Sequence, residues 1–273
     1  MTVNSPEPGS QPVPKIDTTV PHSARIWNYW LGGKDNYEVD RYAGDQFLQA
    51  FPDIAVIARA TRAFQTRAVR YLGAEAHVRQ FMDVGTGLPT FESTHEVAQE
   101  IAPESRIVYV DNDPVVLLHA EVLLTGTPEG ATDYIDADMR DPGKIIQEAA
   151  RTLDFSQPIA VLLMGVLGHI PDDGDAQSIV SRLMDALPSG SYLVLSDGTN
   201  VIHGNQGEAA QEDYNESGAV PYVLRSPDQI RRFFDGLELA EPGLVSVTRW
   251  RPAPSPFGVP SEVDALCAVG RKP

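Results

Sequence analysis

The sequence of 273 residues is long enough for one large α/β domain, and its 42% of hydrophobic residues can supply a buried core. Its formal net charge of −17 disfavours polyanionic partners, because an acidic surface repels nucleic-acid phosphates and anionic lipid head groups. The single cysteine, Cys267, excludes an internal disulfide and a cysteine-based metal cluster.

The N-terminal region divides into a proline-rich tail and two predicted helices. Residues 1–21 combine prolines with small polar residues, a composition that predicts a disordered tail. Helices are predicted over residues 23–31 and from about residue 54 to 72, each followed by glycine. We find neither a secretory signal nor an apolar segment of membrane-spanning length, so we expect a cytoplasmic protein.

The second predicted helix carries a run of arginines. Arg59, Arg62, Arg67 and Arg70 recur along it at short spacing. Such a run is typical of a solvated helix face. The alternative is a docking patch for an anionic substrate or partner.

Strands and helices then alternate as far as residue 197. Predicted strands end at Val84, Asp111, Asp136, Met164 and Asp197. The helix after the first strand is predicted over residues 90–101, and the fourth strand is continuously apolar, as a strand covered on both faces should be. This alternation predicts a parallel sheet with right-handed crossovers.

The alternation stops after the fifth strand. Residues 199–225 are polar and predict an irregular segment, and a helix is predicted from residue 226 to 236. Two final strands are predicted near residues 244–250 and 264–270. Because their connection is short and lacks a helix, they should pair antiparallel.

A glycine pair follows the first predicted strand. Gly85 and Gly87, with Thr86 between them, allow a tight turn and close approach of the backbone to a ligand. Such a loop suits a nucleotide, a dinucleotide or S-adenosylmethionine. Thr90 replaces the third glycine of a dinucleotide fingerprint. Asp83 would repel a pyrophosphate, whereas it could hold the cationic amino group of a methionine moiety.

Carboxylates also follow the next two strands. Asp111 could accept both ribose hydroxyls of either NAD or S-adenosylmethionine. Asp138 could accept a hydrogen bond from the exocyclic amine of adenine, with Met139 against the ring. The alternative is that Asp138 is a simple loop acid and Met139 a core residue.

These motifs resemble those of class I S-adenosylmethionine-dependent methyltransferases. The resemblance is closest to a family of predicted methyltransferases of actinomycetes with unassigned substrates. It rests on HSARIWNYWLGGKDNY at 22–37, VDNDP at 110–114, DMRDP at 138–142 and PGLV at 242–245, and covers nearly the whole chain after residue 21.

The resemblance implies an α/β, Rossmann-like fold with a seven-stranded, mostly parallel sheet and a C-terminal antiparallel hairpin. It further implies a helical cap at residues 22–73, a methyltransferase domain at residues 74–273, and S-adenosylmethionine as cofactor. The strand-end loops add Asn112, Met164 and Gly165 to the candidate cofactor-binding residues.

The N-terminal helix offers a cation to the cofactor. Arg25 and Tyr29 lie four residues apart and share a helix face. Arg25 could pair with the carboxylate of the methionine moiety in forked geometry, with Tyr29 and Asn36 beside it. The alternative is a structural role in core packing.

His169 follows the fourth strand, where open α/β sheets place their reactive groups. An imidazole can remove a proton near neutral pH, although His169 could equally serve only as a hydrogen-bond partner of its loop. The Asn-Pro-Pro-Tyr signature of amino-directed nucleic-acid methyltransferases is absent from the sequence.

The sequence therefore predicts methyl transfer to a small-molecule oxygen, nitrogen or carbon nucleophile. No metal is required, and the sequence contains no convincing ligand cluster. Two alternatives are a regulatory protein that binds S-adenosylmethionine without catalysis, and an NAD-dependent oxidoreductase. Thr90 and the lack of a Tyr-x-x-x-Lys pair weaken the second.

Overall fold

The computed structural model describes residues 16–89, 92–123, 126–256 and 258–273. The helices are α1 (Ser23–Trp30), α2 (Glu38–Ala50), α3 (Ile54–Ala74), α4 (Thr94–Ile101), α5 (Pro114–Leu123), α6 (Pro142–Ala149), α7 (Asp173–Asp185), α8 (Asn205–Glu216) and α9 (Pro227–Arg232), with a 3₁₀ turn at Leu167–His169. The strands are β1 (Gln80–Val84), β2 (Arg106–Asp111), β3 (Ala131–Asp136), β4 (Ala160–Met164), β5 (Tyr192–Gly198), β6 (Glu238–Leu239), β7 (Val245–Ser246) and β8 (Ala265–Arg271). None of the described helices has the length and apolar character needed to cross a membrane.

The strands form one sheet in the order β3-β2-β1-β4-β5-β8-β6, with β7 also paired to β8. Strands β1 to β5 run parallel, whereas β8 is antiparallel to β5, β6 and β7. Because β5 pairs along one edge of β8 from Ala265 to Arg271, the short β6 and β7 share its other edge. The sheet thus has seven strand positions with the last one divided, which confirms the predicted fold.

Helices cover both faces of the sheet because side chains of successive strand residues point to opposite faces. On one face, Leu162 of β4 packs in the same hydrophobic cluster as Phe64 of α3. On the other face, Val161 packs with Ile145 of α6 and Leu183 of α7. The continuous apolar run of β4 therefore reflects burial on two sides, as predicted.

Helix α4 begins at Thr94, later than the prediction over residues 90–101. The backbone N–H of Ser93 donates to Glu96 Oε2 at 2.9 Å, a capping interaction that fixes the start of the helix. Thr90 and Phe91 lie outside the described residues. The prediction was wrong at Glu92 and Ser93, which precede the helix, because the capping interaction at Ser93 starts it one residue later.

Two further helices were not predicted from the sequence. Helix α2 occupies a stretch without an assigned element, and α8 lies inside the segment 199–225 that was predicted to be irregular. The two helices pack through Phe47 and Tyr214, whose ring centroids are 5.7 Å apart. Tertiary packing stabilises such helices more than local propensity does, so their sequence signal is weak.

Part of the predicted tail makes contacts with α1. Residues 1–15 of that tail lie outside the described residues. Residues 16–21, however, run along α1, where the Arg25 guanidinium donates to the carbonyl oxygens of Asp17 at 3.0 Å and Val20 at 2.7 Å. The composition of this part did not reveal these contacts, because it contains no signal for a partner of its carbonyl groups.

Candidate active site

A cavity of about 320 Å³ opens at the carboxyl ends of the parallel strands. Loops after β1, β2, β3, β4 and β5 form one side of it, and residues of α1, α2, α3 and α8 form the other. Its volume falls within the range of small-molecule sites. The predicted site residues that line it are Asp83, Gly85, Thr86, Gly87, Asp111, Asn112, Asp138, Met139, Met164, Gly165 and His169.

The glycine loop bends sharply at the edge of the cavity. Gly85 and Gly87 have φ angles of 72° and 63°, in the left-handed region that favours glycine. A Cβ at Gly85 would lie 2.3 Å from Val166 Cγ2, whereas a Cβ at Gly87 would meet no protein atom within 4 Å. The loop therefore packs tightly on one side and leaves the backbone of Gly87 open on the other.

Asp111 links the ends of β1 and β2. Its Oδ2 accepts a hydrogen bond from Gly87 N at 2.7 Å, and its Oδ1 accepts from Asn112 N at 2.9 Å and Asp113 N at 3.0 Å. Burial raises the pKa of this carboxyl, while the hydrogen bonds from Asp113 and Gly87 oppose the rise. These bonds fix the carboxylate at the position where the sequence predicted a partner for ribose hydroxyls.

Asp83 lies at the base of the cavity and is 2% exposed. Its Oδ2 accepts hydrogen bonds from Gln65 Nε2 at 2.9 Å and from Thr94 Oγ1 at 2.7 Å. Burial raises the pKa of Asp83, and the nearby Arg62 guanidinium opposes that rise. A buried carboxylate of this kind favours a cationic ligand group.

Arg62 was assigned from sequence only to the arginine run, yet it lines the cavity beside Asp83. Its Nη1 donates to Gln65 Oε1 at 2.8 Å, and burial lowers the pKa of its guanidinium. Arg67, by contrast, donates to the carbonyl oxygens of Trp250 at 2.8 Å and Val247 at 2.6 Å. The run is therefore not a uniform solvated face, because two of its members make internal contacts.

The loop after β3 brings two predicted residues to the cavity. Met139 is 8% exposed, and its neighbour Asp138 accepts a hydrogen bond from Arg140 N at 2.8 Å. Arg140 Nη1 also lies 3.3 Å from Asp138 Oδ2. The structure thus brings an apolar side chain and a partly neutralised carboxylate together, beside Asn112.

His169 ends the 3₁₀ turn after β4, and its ring lies edge-on to Tyr222 with centroids 5.1 Å apart. Its Nδ1 lies 2.9 Å from the carbonyl oxygen of Pro221. Because a carbonyl oxygen only accepts, we assign the proton of the neutral ring to Nδ1, which leaves the lone pair on Nε2. Burial lowers the pKa of His169, so this neutral form prevails at neutral pH.

Sequence and structure comparisons identify the family. The family model for S-adenosyl methyltransferases matches residues 9–273. The chain belongs to the S-adenosyl methyltransferase family. It is an S-adenosylmethionine-dependent enzyme, as the sequence predicted, and the non-catalytic alternative has no support.

Two solved structures are similar to this methyltransferase over almost their whole length. A DUF574 family protein from Streptomyces avermitilis is 44% identical with a TM-score of 0.91, and the alignment covers 95% of this chain and 100% of that one. A proposed methyltransferase from Thermobifida fusca is 36% identical with a TM-score of 0.84, covering 93% and 95% of the two chains. No curated protein matches the sequence.

The groups that line the cavity of this methyltransferase fit the chemistry of S-adenosylmethionine. It offers a fixed carboxylate at Asp111, a buried carboxylate at Asp83, a partly buried cation at Arg62 and an open backbone at Gly87. The Asp111 carboxylate is complementary to a ribose diol and the Asp83 carboxylate to an ammonium group. The Arg62 guanidinium is complementary to a carboxylate group, and the open backbone at Gly87 allows close contact with the ligand. Among the residues that the structure describes, no group of acidic, histidine and cysteine side chains could hold a metal ion.

The structure does not bring Arg25, Tyr29 or Asn36 to the cavity of the methyltransferase. Tyr29 Oη donates to Asp45 Oδ1 at 2.6 Å, and Asn36 Nδ2 donates to Asn28 Oδ1 at 2.9 Å. The Arg25 guanidinium donates hydrogen bonds to backbone carbonyl oxygens of the segment that precedes α1. Their placement gives no support to the predicted contact with the cofactor, because α1 turns a different face to the cavity.

Helix α1 and its neighbours α2 and α8 contribute aromatic side chains to the cavity that were not predicted from the sequence. Trp30, Phe47, Phe51 and Tyr214 all line the cavity. The ring centroids of Trp30 and Phe47 are 5.2 Å apart, and those of Phe47 and Phe51 are 6.2 Å apart. The spacing of Phe47 and Phe51 by four residues is a helical signal that could have revealed them.

Proposed function

We propose that the enzyme transfers the methyl group to a small-molecule acceptor whose nucleophile carries a proton, and that His169 removes this proton. The observation that carries the proposal is the 2.9 Å contact of His169 Nδ1 with the carbonyl oxygen of Pro221. This contact reconciles the two roles that the sequence left open, because the hydrogen bond to the loop leaves Nε2 as the basic atom.

The chain's own residues would hold the cofactor along the strand ends. We assign the ribose hydroxyls to Asp111, the adenine to Asp138, Met139 and Asn112, and the methionine moiety to Asp83 and Arg62. When bound, S-adenosylmethionine supplies a methyl group already activated on a sulfonium. The protein then has to align the acceptor with it and exclude water, for which burial of the site is suited.

The size and charge of the site favour a small molecule over a nucleic acid. The cavity holds about 320 Å³ and is bounded by α1, α2 and α8. The net charge of −17 adds repulsion against a polyanion. We further propose a cytoplasmic location and a division into a helical cap at 22–73 and a cofactor-binding unit at 74–273. Cell fractionation tests the location.

The decisive experiment compares His169→Asn with the unchanged enzyme. The asparagine amide can still donate to the carbonyl oxygen of Pro221, but it has no basic nitrogen. In lysate supplied with methyl-labelled cofactor, mass spectrometry should find a metabolite that gains one methyl group. The variant should form it about 100-fold more slowly while its affinity for S-adenosylmethionine stays unchanged.

A matched control is His119→Asn. His119 Nδ1 also contacts a carbonyl oxygen, that of Val115 at 2.9 Å, but the residue does not line the cavity. The control should retain full activity. Equal rates for the two variants would refute the role of His169, and a lysate without any labelled small molecule would refute a small-molecule acceptor.

A further inference from the structure

One part of the cavity is walled by aromatic rings and lies apart from the cofactor loops in sequence. Trp30, Phe47, Phe51 and Tyr214 form this part, and each is between 5% and 8% exposed. Phe47 contacts both Trp30 and Tyr214, with ring centroids 5.2 Å and 5.7 Å apart. Rings from α1, from α2 and the residue that follows it, and from α8 line one space, which favours a flat, apolar occupant.

Two residues that line the same cavity carry buried hydroxyl groups without a hydrogen-bond partner. Ser196 and Thr199, at and just beyond the end of β5, are 1% and 2% exposed. Ser196 Oγ and Thr199 Oγ1 make no hydrogen bond. Ser196 lies on the same sheet face as Val194, which packs in one cluster with Phe47. A buried polar group without a partner is costly, so these hydroxyls point to a ligand that completes them.

The charges beside the aromatic part are already paired. Asp197 Oδ2 accepts from Arg225 Nη1 at 3.0 Å, and Asp264 Oδ2 lies 2.7 Å from His203 Nδ1. Of the described residues from α2, β5 and α8 that line the cavity, none is lysine or arginine. The arginines among the described lining residues are Arg62 of α3 and Arg140 of the loop after β3, both on the side assigned to the cofactor. The aromatic part thus offers neither a cation for a carboxylate or phosphate nor a free carboxylate for an ammonium group.

We propose that the acceptor is an uncharged, planar aromatic compound with at least two hydroxyl groups, one methylated and the other bound by Ser196 and Thr199. This inference rests on the proposed function. The reacting oxygen would form a bond to the methyl carbon while the bond from that carbon to sulfur breaks. The electron pair of the broken bond stays on sulfur, and the hydroxyl proton passes to His169 Nε2.

Calorimetry with the full chain saturated with S-adenosylhomocysteine tests the acceptor class without turnover. The probes are 2,6-dihydroxynaphthalene, its saturated analogue decahydronaphthalene-2,6-diol, and the anionic 6-hydroxy-2-naphthoate. We expect the first probe to bind at least tenfold more tightly than the other two. Equal or tighter binding of either competitor would overturn the aromatic, uncharged acceptor while leaving methyl transfer intact.

Binding of S-adenosylhomocysteine alone distinguishes a failure of the proposed cofactor site from a failure of the proposed acceptor class. If S-adenosylhomocysteine does not bind, the assigned cofactor site fails and the acceptor inference fails with it. If it binds and no aromatic probe does, only the acceptor inference is overturned.

Two variants test the hydroxyl contacts. Ser196→Ala and Thr199→Val should each lower the affinity for 2,6-dihydroxynaphthalene about fivefold. The affinity for 2-naphthol, which has only the reacting hydroxyl, should stay unchanged. Ser191→Ala is the matched control, because Ser191 precedes β5 at its other end and its Oγ accepts from Ile159 N at 3.2 Å outside the cavity. Equal losses for both probes would overturn the assignment, and the probe series decides the class even if a variant does not fold.

Discussion

Arg25 Nε lies 3.3 Å from Asp40 Oδ1, and the two side chains are only 4% and 0% exposed. Asp40 also accepts hydrogen bonds from His22 N at 2.9 Å and Tyr37 N at 2.8 Å. The pair therefore joins the start of α1 to the start of α2. This connection explains why a residue that looked like a cofactor ligand in the sequence is structural.

Replacing Arg25 by lysine should lower stability rather than change ligand selectivity. Lysine keeps the positive charge but cannot span Asp40 and the two carbonyl groups with one planar fork. Partial loss of a buried ion pair and two hydrogen bonds should cost about 2–4 kcal/mol of unfolding free energy, measured by denaturant titration. The ratio of dissociation constants for S-adenosylmethionine and adenosine should stay unchanged, and a selective loss of S-adenosylmethionine would contradict the structural role.

We expect Arg62, rather than Arg25, to bind the carboxylate of the methionine moiety of S-adenosylmethionine. Arg62→Met removes the cation beside Asp83. It should lower the affinity for S-adenosylmethionine about tenfold or more, because a charge-assisted contact is lost. Decarboxylated S-adenosylmethionine, which keeps the amino group but lacks the carboxylate, should bind with little change. Calorimetry on both ligands makes the comparison.

The control for Arg62 lies one turn earlier on the same helix. Arg59 is exposed and does not line the cavity, so Arg59→Met should affect neither ligand. If Arg62→Met weakened both ligands by the same factor, the guanidinium would act on Asp83 rather than on the ligand carboxylate.

The sequence placed the candidate cofactor residues at one edge of the sheet because its signals are local, and in the structure these residues line one cavity. The glycines at 85 and 87 and the acid at Asp111 each follow a strand, and parallel strands bring their carboxyl ends to one edge of the sheet. Only the strand order was needed to place them together. The same reasoning brought His169 to the cavity.

The cap and the aromatic walls could not be predicted in the same way. Whether Arg25 or Arg62 faces the cavity depends on Asp40 and Gln65, partners that the helical pattern does not reveal. The aromatic residues of α2 and α8 come together only because those helices pack on each other. Contacts between distant segments determined this half of the site.

Asp111 should control affinity for the ribose. Asp111→Ala removes the carboxylate at the end of β2 and should weaken S-adenosylmethionine by about 1.5–3 kcal/mol, the usual contribution of hydrogen bonds to a charged group. Asp136→Ala is the control, since Asp136 is the exposed register partner of Asp111 on β3 and does not line the cavity. Unchanged affinity of the Asp111 variant in calorimetry would remove the residue from the cofactor site.

The pH dependence of activity should report the environment of His169. Burial lowers the pKa of its imidazole below the ordinary 6.5, so the basic form persists into mildly acidic solution. We expect the rate of methyl transfer to fall as the pH is lowered, with a midpoint below pH 6.5. Single-turnover rates across this range, with the cofactor saturating, would measure the effect, and a midpoint above 6.5 would contradict the buried, neutral ring.

Stability should follow pH in a matching direction. The pKa of His169 is lower in the folded protein than in the unfolded chain, so below pH 6.5 the unfolded chain binds a proton at His169 more readily. The unfolded state is therefore stabilised relative to the folded state as the pH falls. His169 therefore contributes a loss of folding free energy that begins near pH 6.5 and is complete below the lowered pKa. His169→Asn lacks this group, and its melting temperature should fall less than that of the unchanged protein between pH 6.5 and 5.5. Parallel curves for the two proteins would mean that His169 titrates alike in the folded and unfolded states, and the proposed basic atom would lose its physical support.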